Sequence, residues 1–177
     1  MHERIVEGAG FPIESRLVGA WPAASLGSLP LALPYCDDLA VVARSPEAAQ
    51  EGLDRVAAGF AEVGFNLYEF ETASTDFVIL GHEGNGASGR LRPKGSRVWN
   101  LGQALLWAVE ATISGAQLEV LLGHYVTHCG INRGGLAVPR AVFELIRVNY
   151  TRVMPLWASV RCELRVMRGL LPLWCAT

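Results

Sequence analysis

The hydrophobic period of the chain changes at Pro93, and that change restricts the fold more than any other feature. Before it, apolar residues come in short runs separated by Gly, Pro and acidic residues, as in strands joined by turns. After it, apolar residues recur at three- and four-residue spacing to about Leu170, as in amphipathic helices. A chain holding both patterns in succession is an α+β protein, with a small sheet and one helix first and a helical lobe second. The expected organisation is an irregular segment 1–30, a sheet-and-helix region 31–92 and a helical region 93–177.

Gly8, Gly10, Pro12, Gly19, Pro22, Gly27, Pro30 and Pro34 interrupt any period, so residues 1–34 read as irregular. One short apolar run ends at Tyr35 and another begins at Leu39, with Cys36-Asp37-Asp38 between them. Two strands joined by a tight acidic turn is the natural reading, because Asp tolerates turn geometry. A helix comes next: Ser45 is a good N-cap, Pro46 suits the first helical position, and Gly64 ends the apolar face that runs to Val63. A strand is expected near Asn66–Phe70. A hairpin is expected from Asp76–Gly81 and Gly89–Arg92 around the loop Glu83–Ser88. Beyond Pro93, Val98, Leu101, Leu105 and Val109 mark a helix. Ser114-Gly-Ala-Gln117 is a capping box opening the next one, whose apolar face is Leu118, Leu121, Leu122, Tyr125 and Cys129, with Gly130 at its close. One or two more helices fill the stretch from Pro139 to about Leu170.

Hydrophobic residues make up 51% of the chain and charged residues only 18%, against about 25% charged in an average soluble domain. Either the core is large or apolar surface is exposed. No apolar run approaches the roughly 18 residues of a membrane span, and the N-terminus lacks the basic start of a signal peptide. The four cysteines, Cys36, Cys129, Cys162 and Cys175, are far apart, which suggests neither a zinc knuckle nor a disulfide framework but reduced thiols in an intracellular protein. The net charge of −2 conceals an asymmetry. Residues 1–89 carry four Arg against 13 carboxylates, a net of −9, and residues 90–177 carry ten Arg and Lys94 against four carboxylates, a net of +7. The second half therefore suits a polyanionic partner.

Tyr35-Cys36-Asp37-Asp38 is the candidate chemical centre. Two adjacent carboxylates on a tight turn are presented at one point with little freedom. Hard divalent cations such as Mg²⁺ take such oxygen ligands, with phosphates completing the shell, and two such ions clamp the attacking and leaving oxygens of a phosphoryl transfer. A bare Asp-Asp pair is also a common solvated turn; here two apolar runs flank it and an aromatic precedes it.

At these residues the chain resembles the reverse transcriptases of retrotransposons, whose catalytic motif is Tyr-x-Asp-Asp on a hairpin. The downstream segments come in a similar order. A helix over 46–63 leads to Gly64-Phe65-Asn66-Leu67, which resembles the family's Gly-Phe segment. Ile79-Leu80-Gly81 resembles the Phe-Leu-Gly of the primer grip, and Ile113–His124 looks like the thumb segment with its Ser-x-x-Gln-Leu start and Leu-Leu-Gly. The resemblance spans about 31–172. It implies a partial palm followed by a helical thumb or connection lobe, and RNA-directed DNA polymerase chemistry. Asp37 and Asp38 would be the Mg²⁺ ligands, with Tyr35 beside them and template–primer nucleic acid as partner. Departures matter equally. The family's third carboxylate lies well upstream, where this chain has only Glu3, Glu7 and Glu14, and Glu71 sits where the family often has a Lys. No RNase H module is visible. The expectation is an incomplete Mg²⁺ site, a missing N-terminal polymerase part, and a chain inactive alone. The alternatives are a non-catalytic module binding nucleic acid or protein, and a degenerate retroelement product without function.

Arg90, Arg92, Lys94 and Arg97 cluster at the expected lobe boundary. They are either a solvated basic loop or contacts to a phosphate backbone, and the resemblance adds Gln117 to the nucleic-acid contacts. Trp99, Trp107, Trp157 and Trp174 lie among aliphatic residues at helical spacing, which predicts core positions, with base stacking as the alternative. His124 and His128 are spaced i, i+4 beside Cys129, a spacing that suits a metal. No second ligand pair accompanies them, so they read as surface or interface histidines.

Overall fold

The computed structural model describes residues 2–11, 30–35, 38–65 and 67–175. Their architecture is α+β, with six α-helices and small antiparallel sheets, as the change of period predicts. The chain forms two compact units, Met1–Thr75 and Asp76–Thr177. The boundary thus falls before the Asp76–Pro93 strands and not at Pro93, because those strands are tied to the helix that follows them. No helix among the described residues is long and apolar enough to cross a membrane.

The first unit holds α1 (His2–Gly8), β1 (Leu31–Tyr35), β2 (Asp38–Val42) and α2 (Pro46–Glu62). The Ser45 hydroxyl accepts a hydrogen bond from Ala48 N at 3.3 Å, and Pro46 opens α2 where no N–H is needed. At the other end Gly64 adopts φ +79°, and Phe65 N donates to Phe60 O at 3.0 Å, the Schellman closure. Val56 and Phe60 bury against Ile5, Val6, Phe11 and Ala32. Gly52 matters in this core, since a Cβ there would lie 2.9 Å from Val41 and 3.1 Å from Phe11.

Two expectations fail in this unit. Residues 2–8 are helical rather than irregular: Gly8 and Gly10 terminate a short helix and do not prevent one. Gly10 takes φ +87°, and Phe11 N reaches back to Val6 O at 3.1 Å. The rest of the expected irregular segment, residues 12–29, lies outside the described residues. The strand near Asn66–Phe70 does not form over 67–70, and Asn66 itself lies outside the described residues. Glu69 at φ 59° breaks the extended run, and Tyr68 is 85% exposed.

The second unit opens with the meander β3 (Asp76–Ile79), β4 (His82–Asn85) and β5 (Arg90–Pro93). Residues 83–85 of the expected loop 83–88 thus belong to a third strand. Leu80 and Gly81, the two central residues of the β3–β4 turn, both have positive φ, 49° and 82°. That is the requirement of a type I′ hairpin turn. The Phe77 ring covers Gly84 across the β3–β4 pair, where a Cβ would collide with it. Glu83 then joins the sheet to α3 (Gly95–Glu110): its carboxylate accepts from Arg92 Nε at 3.1 Å and from Gly95 N at 3.2 Å. Lys94 N donates to Gly81 O at 2.9 Å.

The helical part continues with β6 (Thr112–Ile113), α4 (Gly115–His128), α5 (Arg140–Val148), β7 (Met154–Pro155) and α6 (Ala158–Leu170). Short 3₁₀ turns lie at Arg133–Ala137 and Leu171–Leu173. The capping box of α4 forms as its sequence predicts: Ser114 N donates to Gln117 Oε1 at 2.9 Å, and Gln117 N to Ser114 Oγ at 3.3 Å. Leu105, Leu118, Leu145 and Leu164, from four different helices, meet in one core. Tyr125 closes it, stacked edge-on to Trp174 at 4.9 Å, with its hydroxyl donating to Gly135 O at 3.1 Å. The start of α5 has no cap of its own. Glu163 on α6 supplies one, accepting from Ala141 N at 2.8 Å and Val142 N at 2.9 Å.

Candidate functional site

The hairpin that carries the Tyr-x-Asp-Asp sequence forms with the expected antiparallel pairing. Leu31 faces Val42, Leu33 faces Ala40, and the ladder ends with Tyr35 opposite Asp38. Apolar, β-prone residues on both sides set this register, and Pro34 is tolerated because a two-stranded ribbon has a free edge on each strand. Only Cys36 and Asp37 lie between the paired ends in the sequence, and Asp38 is the first residue of β2. Cys36 and Asp37 lie outside the described residues, and Asp38 and Tyr35 are described by their backbone. Among the described residues, no group of three His, Cys, Asp or Glu side chains lies together as a metal site would require. Glu71, at the place of the family's lysine, is exposed.

The four cations read as a cluster are all exposed and all belong to the second unit. Arg90 and Arg92 lie on β5, Lys94 is the N-cap position of α3, and Arg97 falls in its first turn. Arg92 is held by Glu83 at 3.1 Å. The Arg97 guanidinium lies over Gly81, where a Cβ would strike it, so the β3–β4 turn and the start of α3 are fixed to one another. Gln117 does not join this group. Its amide oxygen is engaged by Ser114 in the cap.

The tryptophans divide. Trp174 is core, 4% exposed, and Trp157 is half-buried beside the same cluster. Trp99 and Trp107 are not core: they are 67% and 60% exposed. Helical spacing alone misplaced them, because α3 buries Leu101, Leu105, Ala108 and Val109 and the tryptophans fall on the opposite face. Asn100 and Gln103, exposed on that same face, went unnoticed in the sequence; their offset from the leucines was the available signal.

The histidines also divide. His124 is exposed, whereas His128 is 4% exposed, which corrects its reading as a surface residue. Its Nδ1–H donates to His124 O at 2.6 Å, since a carbonyl only accepts, and its Nε2 is buried without a hydrogen-bond partner. Burial pushes its pKa below the ordinary histidine value; the backbone bond opposes this, and the Arg97 and His124 charges add to it. His82 is lowered as well, first by burial and then by His128 and Arg97. Burial raises the Cys129 thiol, so it is a packed apolar group rather than a reactive one.

No protein-family model, no curated protein and no solved structure matches this chain.

Proposed function

We propose that this chain is the palm remainder and thumb of a retroelement reverse transcriptase, competent to hold nucleic acid and incompetent to polymerise alone. The observation that supports it most is the antiparallel β1–β2 pairing, whose ladder ends with Tyr35 opposite Asp38. Asp37 and Asp38 would hold Mg²⁺, which supplies charge neutralisation at a reacting phosphate. The two carboxylates are adjacent in the sequence, whereas a two-metal site spans about 4 Å and draws ligands from separate strands. A nucleotide-positioning surface is needed besides, and its proximity effect is worth on the order of 7–11 kcal/mol.

A second reading is a nucleic-acid-binding module without chemistry. It is favoured by one observation: Arg90, Arg92, Lys94 and Arg97 all lie in the second unit, which has its own core. The experiment that tests both is a titration of the whole chain with a primed template at several salt concentrations, followed by addition of nucleotides and Mg²⁺ or Mn²⁺. Binding should fall steeply with salt, and Ala at Arg90, Arg92 and Lys94 should flatten the slope by about one unit for each phosphate left without its cation. Salt-independent binding, or none at low salt, removes both readings. Primer extension that disappears in the Asp37→Asn, Asp38→Asn variant overturns the claim of inactivity and the second reading together.

A further inference from the structure

The outward face of α3 is made of Trp99, Asn100, Gln103, Leu106 and Trp107, all exposed. Large aromatic residues standing out of a helix with amides between them are unusual for a surface that meets only water. The stretch of chain that carries them is positive. Between Arg90 and Val109 the chain carries four cations and no carboxylate. The flanking acids are engaged: Glu83 by Arg92 and the Gly95 amide, Glu110 by Arg165 at 3.4 Å. We propose that this face is a stacking platform for the bases of unpaired nucleic acid, with the segment 90–97 holding the adjoining phosphates.

The inference rests on the nucleic-acid reading above and adds what that reading lacks, the strand state of the ligand. Cations alone attract duplex and single strand alike. Indole rings discriminate, because base faces are hidden in a duplex and open in an unpaired strand. Trp99 and Trp107 are eight residues apart, about 12 Å along the helix axis. That matches roughly three to four nucleotides at about 3.4 Å each, so the two rings suit separate bases on one strand. Asn100 and Gln103 between them offer donors and acceptors to base edges without adding charge.

The test uses the full chain, a labelled oligothymidylate of about a dozen nucleotides and a duplex of the same length, compared at low salt by fluorescence anisotropy. The single strand should bind more tightly than the duplex and quench tryptophan emission. Trp99→Ala and Trp107→Ala should each weaken single-strand binding by about tenfold and leave duplex binding unchanged, and Trp99→Phe should retain most of it. Equal binding of both ligands, with the Ala variants behaving as the parent while Arg90→Ala, Arg92→Ala and Lys94→Ala lose affinity, overturns the stacking platform and leaves the nucleic-acid reading standing. Absence of any binding at low salt overturns both. Self-association in sedimentation that is abolished by Trp99→Ala without oligonucleotide assigns the face to a second copy of the chain, which also overturns it.

Discussion

Replacing Glu163 by Ala should destabilise the second unit far more than its partly exposed position on α6 suggests. The carboxylate accepts two backbone N–H groups at the start of α5, at 2.8 and 2.9 Å, and no side chain at the N-cap position, Pro139, replaces it. Hydrogen bonds to a charged acceptor contribute about 1.5–3 kcal/mol each, and a carboxylate at a helix N-terminus adds about 0.3–1 kcal/mol. Water takes over part of this at Ala141, which is half-buried, and little of it at Val142, which is buried. The net loss should therefore be about 2–3 kcal/mol, or about 10–20 °C in the melting temperature of a unit of about a hundred residues. Glu163→Gln keeps one acceptor oxygen and should lose about half as much. Glu144→Ala removes only an exposed pair with Arg147 and should melt with the parent. Thermal melts by circular dichroism give the stabilities, and amide exchange at Ala141 and Val142 locates the effect. A Glu163→Ala protein that melts with the parent and keeps those amides protected would refute the tertiary cap.

Gly115→Ala should cost about 1–3 kcal/mol although Ala favours helix by about 1 kcal/mol, because the new Cβ would sit 2.8 Å from both Asn149 O and Tyr150 Cα; a raised urea midpoint would contradict this. The histidines set a pH dependence. His128 and His82 both lie below 6.5 in the folded chain, so below about pH 6.5 the unfolded chain binds more protons. Stability should thus be fully present above about pH 6.5 and decline progressively as pH falls below it. Urea midpoints across that range should show the loss, His128→Leu should reduce it, and a flat profile in the parent would exclude it.

Elements with their own punctuation were legible in the sequence. α2, with Ser45, Pro46 and Gly64, and α4, with the Ser114–Gln117 box, form where their caps stand, since a cap acts within four residues. The β1–β2 pairing was legible because apolar runs flank a short acidic segment. Features that depend on distant partners were not. β4 contains His82, Glu83, Gly84 and Asn85, none of them strand formers, and it exists because it pairs on both sides and Phe77 covers its glycine. α1 is short and ends in glycines, and its burial on α2 rather than propensity sustains it. At the candidate site, the hairpin and the cations were read from order and charge. The exposure of Trp99 and Trp107 was not, because it depends on which face of α3 meets α4 and α6.

The opening of α4 is completed by chain that lies far along the sequence. Gly115 N and Ala116 N donate to Asn149 O and Tyr150 O at 3.0 and 2.8 Å, the Tyr150 hydroxyl donates to Glu119 at 2.9 Å, and Ile113 pairs with Met154. During synthesis this first turn stays unfinished until residues 149–155 have emerged, so α4 has no route to maturing in order of appearance. The same wiring makes the second unit indivisible. A cut between Val148 and Asn149 strands the amides of α4, and a cut anywhere from there to Ala158 parts Glu163 from the helix it caps. Dissection of this protein therefore has its natural incision near Thr75, and one placed between α5 and α6 leaves the start of α5 without its cap.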